Sequence, residues 1–466
     1  MRPMVITAES ALSSKTRWTI VGLLSASIAI NLLDRQIFSV LAPLLRETFT
    51  WSNTQYGYAA VAFNLGMMLG QVPAGALMDR VGTKNGLLVI FLGWSLLTAA
   101  HALAGPGTAI DSLGSLFALP FVAIVASLTF TTAPVLAAGL SGFIFLRFLL
   151  GLFQCGNYTA GIKALAGLFP ASSRSKAGGL FNAGAQLGSV IAGPLVLAWL
   201  VQGMGVSWQM AFVIPSIVCV LWLAPWLATF PDKARMTAIA LKPTVTAAGP
   251  DSASIGLGTL FSNRQVLGLS LIRIFTGPIT VFYWTWLANY LRGPQATGGR
   301  GMTWLAVGLW VAVPNLFGMA GNVFGGMMTD SLVRRTGSVD LGRKLGFVGA
   351  FSLGALSMTL PYVGSDALAI VIMGLALFGN QWVAATYIGT VGDVVPQTLA
   401  GRVNGIAGLA DNGATMLAVL YTGIMVDKYG WGPVFLGVGL LPFLAMASLF
   451  LVLRKIEPAV FRTGRA

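Results

Sequence analysis

Apolar blocks of about 20 residues recur along this chain, and they restrict its fold more than any other feature. A helix needs ~20 apolar residues to cross ~30 Å of hydrocarbon, and runs such as 18–41, 55–78 and 432–453 reach that length. Twelve spans are read in all, and helices are the only reading. Membrane strands alternate over ~10 residues, whereas these runs are continuously apolar. Only 9% of the residues are charged and 56% are hydrophobic, with a mean hydropathy of +0.80. A soluble chain of 466 residues cannot cover its surface so thinly. A soluble enzyme and a disordered chain are both excluded. The expected fold class is all-α: a membrane protein of 12 transmembrane helices.

The formal charge is +14, which by itself would suit a nucleic-acid partner. Its distribution argues otherwise. With the N-terminus inside, 20 of the 28 Lys and Arg fall on cytoplasmic segments and 4 on outer loops. That split follows the positive-inside rule and predicts a multi-pass protein of the inner (plasma) membrane with both termini cytoplasmic. The expected partners are the bilayer and small solutes, not nucleic acid, and the expected unit is a monomer. Cys155 and Cys219 sit in apolar helical runs and read as packing. The single His101 lies near the outer end of the third span and reads as an interfacial side chain. No metal ligand set and no cofactor are expected.

A polar connection over 231–264 divides the spans six and six, giving bundles over 1–230 and 265–466. The halves echo each other. After the second span the chain reads Gly75-Ala-Leu77-Met-Asp79-Arg80-Val-Gly82-Thr-Lys84. After the eighth it reads Gly326-Met-Met-Thr-Asp330-Ser-Leu-Val-Arg334-Arg335-Thr-Gly337. Glycine there lets a neighbouring helix approach, and an aspartate can pair with bases across a short loop or meet a facing helix N-terminus. Gly75, Asp79, Arg80, Gly82, Asp330 and Arg334 are therefore the candidate gating residues.

This loop resembles the signature of the major facilitator superfamily, and the 6+6 layout covers the whole chain. More narrowly, Asn31-Leu-Leu-Asp34-Arg35, Arg147-Phe-Leu-Leu-Gly151-Leu-Phe, Ile162-Lys163-Ala through Phe169-Pro170, and Phe181-Asn182-Ala-Gly184 resemble the anion:cation symporter family, above all its hexuronate branch. Ser207-Trp208-Gln209-Met210-Ala211-Phe212 adds to the likeness. The resemblance implies two pseudo-symmetric six-helix bundles, with substrate near the midplane. One departure is the stretch 105–138 between the third and fourth spans, where the family has a short loop. A full extra span would invert everything downstream, so a re-entrant or interfacial outer hairpin is expected.

Charges inside spans cost several kcal/mol even on lenient insertion scales, and so call for a reason. Asp34 and Arg35 lie in the first span, Arg147 in the fourth, Arg273 in the seventh and Asp411, beside Asn412, in the eleventh. Arg35 and Arg147 suit a carboxylate, whose geometry the guanidinium fork matches. Asp34 reads as the proton carrier, losing an arginine and gaining a proton when substrate arrives. The resemblance implies a second proton carrier, a glutamate seven residues after Arg147; here that position is Gln154, an amide that cannot titrate. Asp411 is a possible replacement. Arg273 reads as pairing with Asp393 or facing the substrate, and Lys163 as snorkelling toward the cytoplasm.

The seventh span carries Tyr283 and Trp286, three apart and expected to stack on a substrate ring, beside the helix-breaking Gly277-Pro278. Asn64, Gln71, Asn182, Gln186, Asn380 and Gln381 either orient substrate hydroxyls or bond between helices. There is no phosphate-binding loop, so a gradient must drive any transport. The function expected is secondary active, proton-coupled uptake of an organic acid anion. A uniporter or anion exchanger and a non-transporting solute sensor remain open, whereas a membrane-embedded enzyme lacks the clustered acids, histidines or nucleophile it needs.

Overall fold

The computed structural model describes residues 12–169, 171–232, 263–395 and 397–459. Most of the expected linker, 233–262, lies outside them, as do Arg2, Arg462 and Arg465. The described residues form thirteen long helices. The first is α1 (Ser14–Phe49). A 48-residue helical run, Asn53–Ala100, is broken at Gly82, whose φ of 82° is open to glycine at little cost. The break makes α2 (53–81) and α3 (83–100), and α3 ends in a 3₁₀ turn over His101–Leu103. Next come α4 (Ala109–Leu128), α5 (Leu140–Leu168), α6 (Ala171–Ala192) with its π-type continuation Gly193–Gly203, and α7 (Met210–Thr229). The second half holds α8 (Arg264–Arg292), α9 (Trp304–Thr336), α10 (Val339–Tyr362), α11 (Asp366–Val394), α12 (Gln397–Tyr429) and α13 (Trp431–Leu453).

Twelve of the thirteen match the expected spans. The extra one is α4, inside the 105–138 stretch, and it is apolar and long enough to cross a membrane. It does not add a crossing. Asp111 near its start accepts hydrogen bonds from the Gly139 and Gly142 amides at the start of α5 (3.2 and 3.0 Å). Further along, Phe117 stacks on Phe148 at 4.7 Å. The two helices therefore run parallel. Leu128 lies 17 residues beyond Asp111, or about 26 Å at helical rise, yet Gly139 is back beside Asp111. Eleven residues return that distance only as a largely extended strand, and 131–137 has no helical or sheet structure. A Cβ on Gly139 would lie 3.3 Å from Gly105 Cα, so the insertion begins and ends at one point. It is a helix out and an extended strand back, the hairpin expected from the charge pattern.

The chain divides into two compact units. The first gathers α1 up to Phe38, residues 62–192 and the chain from Met204 through α7. The second gathers 39–61, Gly193–Gly203 and α8–α13. The division thus cuts through α1 and α2 rather than following the six-and-six sequence boundary.

In the first unit α1 is the central strut. Its positions 27, 31, 34 and 38 follow the 4-3-4 spacing of one helical face and meet the antiparallel α5 in order. Ser27 Oγ donates to Asn157 Oδ1, and Asn31 Nδ2 donates to the Gln154 carbonyl. Asp34 meets the Gln154 side chain, and Phe38 meets Arg147. On another face of α1, Gly184 and Gly188 of α6 press against the Ser25 and Ala29 carbonyls, where any Cβ would collide. Stacked Phe91, Trp222 and Trp226 tie α3 to α7. The second unit packs Val266, Leu269 and Ile272 of α8 against Phe347, Phe351, Trp382 and Tyr387, with Leu449 and Leu453 closing the cluster.

Candidate functional site

Two clusters of deep charge exist, one in each unit. In the first, adjacent Asp34 and Arg35 diverge by the helical turn of about 100°. Asp34, 2% exposed, sends its carboxylate between α3 and α5. Its Oδ2 accepts from Thr98 Oγ1 at 2.8 Å and from Gln154 Nε2 at 2.7 Å. Oδ1 is buried and takes no hydrogen bond among the described residues. Arg35 instead reaches α2, donating to Asn64 Oδ1 at 3.4 Å and lying 5.1 Å from the Phe63 ring. The expected exchange between Asp34 and its neighbouring arginine is therefore not built in: the acid rests on neutral donors.

Arg147 is 3% exposed. Its guanidinium lies 4.5 Å from the centre of Phe38 and 4.2 Å from that of Phe63, held by the negative ring faces. No carboxylate salt-bridges it among the described residues; an arginine held this way keeps its fork for another acceptor.

Gln154 does more than replace an acid. Two carboxylates 2.7 Å apart would have to share a proton. The amide supplies that hydrogen permanently and removes one titration.

In the second unit Arg273 donates to Asp411 Oδ2 at 2.6 Å and not to Asp393. Asp393 is taken by Arg343 at 2.9 Å. Asp411 fits against α8 only because residue 277 is glycine, since a Cβ there would run into the carboxylate. Arg273 also lies 5.3 Å from the Tyr387 ring. Asn412 turns back to its own helix, donating to the Gly408 carbonyl at 2.8 Å.

Tyr283 and Trp286 require correction. Tyr283 is buried, with its hydroxyl bonded to Ser357 at 2.8 Å and its ring against Phe282. Trp286 is buried between Tyr56 and Trp431. Their shared face packs on protein, leaving no ring surface for a solute. The orienting amides also divide. Asn380 bonds Thr280 and Asn182 bonds its own helix, whereas Asn64 joins the Arg35 cluster.

At the basic ends of the helices, Asp79 of α2 pairs with Lys163 of α5. In the second unit Asp330 meets Arg343 at 3.0 Å, and Arg343 bridges on to Asp393. Arg343 and Lys163 are thus the bases of the two motifs. Arg80 and Arg334 are exposed. Gly82 makes the turn, but Gly75 faces open space rather than a close helix, which corrects the packing role expected of it.

At the opposite end of the second unit is a cluster that sequence reasoning missed. Asp427 accepts from the Asn53 amide and side chain (2.9 and 2.8 Å) and from the Thr54 amide and hydroxyl (both 2.7 Å). It caps α2 from another helix, satisfying N–H groups that helix geometry leaves open. Arg292 pairs with Glu47, and Tyr56 donates to the Thr285 carbonyl.

The model described as Major Facilitator Superfamily matches residues 24–410. The probable galactarate/D-glucarate transporter GarP of Escherichia coli (strain K12) is 28% identical over 462 residues, 95% of this chain and 96% of that one. The hexuronate transporter of Bacillus subtilis (strain 168) is 27% identical over 453 residues, 96% of each. Among solved structures, a bacterial homologue of the human lysosomal transporter Spinster aligns with a TM-score of 0.67 at 15% identity, over 95% of this chain and 98% of that one. A D-xylose-proton symporter aligns with a TM-score of 0.68, also at 15% identity and over the same shares. At such identity these two establish the fold alone. With twelve expected spans present and a family match over most of its length, the chain belongs to the major facilitator superfamily and is a membrane transporter.

Proposed function

We propose that this transporter takes up an organic acid anion, of the sugar-acid class, together with a proton. The observation that carries the reading is Arg147, a buried guanidinium held on two phenyl faces with no salt-bridging carboxylate. An arginine inside a membrane span is costly unless it serves a partner, and a solute carboxylate is the partner its fork fits. Arg35, directed to Asn64 on the same unit, is the second contact. The names of the relatives, galactarate/D-glucarate and hexuronate transporters, support a polyhydroxylated carboxylate.

Asp34 is the proton carrier in this reading. Resting on a hydroxyl and an amide, it can gain a proton without breaking an ion pair. Asp411 has an arginine already and is assigned to holding α8 against α12. We place both termini in the cytoplasm, from the charge split, and assign Asp79, Asp330, Arg343 and Lys163 to gating at that face. The test is uptake into proteoliposomes with and without an imposed pH gradient, across hexuronates, aldarates, aldonates and aromatic acids. Gradient-dependent accumulation of a sugar acid is the expected result. Equal uptake in both conditions would leave a uniporter or exchanger.

A further inference from the structure

His101 was expected at the membrane interface, but it is fully buried. Its ring stacks on Phe212 of α7 at 5.2 Å and meets Phe143 of α5 edge-on at 5.7 Å. Nδ1 lies 2.7 Å from the Leu97 carbonyl. A carbonyl only accepts, so that nitrogen carries the hydrogen and Nε2 keeps the basic lone pair. Nε2 is buried and has no hydrogen-bond partner among the described residues. An unmet buried acceptor costs about 1–3 kcal/mol, so its presence asks for a use.

Its position supplies one. Trp94, Thr98 and His101 follow 4-3 spacing on α3 and share a face. Thr98 donates to Asp34, and His101 is the next residue on that face, toward the end of the helix away from Arg80 and Lys84. Residues three apart on a helix are side-chain neighbours. The charged groups facing the ring are Arg147 from α5, near enough for its charge to act on it, and Asp34 from α1 by way of Thr98. From α7 it meets only Phe212.

We propose that His101 is the outer-side proton relay of Asp34, an inference that rests on the proton-coupled reading above. His101 Nε2 takes a proton from a hydronium ion on the outer side, releasing water, while Nδ1–H stays on the Leu97 carbonyl. The imidazolium then passes the Nε2 proton to Thr98 Oγ1 as the Thr98 hydroxyl proton moves to Asp34 Oδ2. The ring and hydroxyl end unchanged, and the carboxylate ends neutral. His101 acts through Asp34 and does not touch the solute.

The test uses full-length protein in proteoliposomes. His101→Asn retains an N–H for the Leu97 carbonyl but cannot relay, and His101→Gln is a second variant should the first fold poorly. The expected result is about a tenfold or greater fall in gradient-driven accumulation, with a shifted pH profile. Counterflow at equal pH, which needs no net proton movement, should stay within about twofold of the unmodified rate. If the unmodified protein responds to the gradient and both variants match it in rate and pH profile, the relay is overturned while the symport reading stands. If the unmodified protein ignores the gradient, the symport reading fails and the relay falls with it.

Discussion

The deep acids of the two units are held in opposite ways. Asp34 accepts from a threonine hydroxyl and a glutamine amide, and the nearby Arg147 rests on phenyl rings. Asp411 grips Arg273 directly at 2.6 Å. Protonating Asp411 would break an ion pair and strand its arginine, which is costly in a span. Protonating Asp34 leaves its neutral partners in place. An acid meant to change charge in every cycle is better held by neutral donors, and one meant to hold two helices is better paired. The sequence cannot distinguish the two, because both are single aspartates within apolar runs.

The largest effect should come from testing that contrast directly. Asp34→Asn should remove accumulation driven by a pH gradient, while Asp411→Asn should lower thermal stability and keep most of the gradient response. Equal loss of gradient response in both variants would break the comparison. Next in size, Arg147→Ala should weaken binding of a sugar acid about 100-fold in a thermal-shift titration, with Arg35→Ala somewhat milder. Near-normal affinity in both would sink the anion reading. Gly277→Ala should push the Asp411 carboxylate off Arg273, lowering the apparent Tm by several degrees. Gly75→Ala, which meets open space, is its control. The smallest and most pointed change is Gln154→Glu. It puts a second carboxyl against Asp34, where the two must share a proton, and should steepen the pH dependence of uptake; an unchanged profile would mean that Asp34 is not the titrating group.

Much of the fold was legible because span length, basic loops and the repeated Gly-to-Asp motif are local properties. Asp34, Arg35 and Arg147 stood out because charge in an apolar run needs no tertiary knowledge to notice. What stayed hidden was who meets whom. The three-residue spacing of Tyr283 and Trp286 reports a shared face but not its neighbour, and that neighbour is protein. Arg273 had two acids within plausible reach, and Arg343 settled the choice by occupying Asp393. His101 was discounted for lying near a span end, although its 4-3 register with Trp94 and Thr98 was already visible. Asp427 gave no signal, because a carboxylate near a loop looks solvated until the chain folds Asn53 and Thr54 onto it.

The hairpin between Gly105 and Gly139 has a practical consequence. Because its two ends touch, the protein carries a natural port: an independent segment can be removed or exchanged there without moving either anchor. The port has one tether, Asp111, whose carboxylate seals the first amides of α5. A replacement cassette that restores an acid at that helix start should leave α5, and with it Arg147 and Gln154, in register. One that omits it would loosen the helix carrying both residues. The same entry point could take a fluorescent or affinity module on a carrier that otherwise offers few places to attach one.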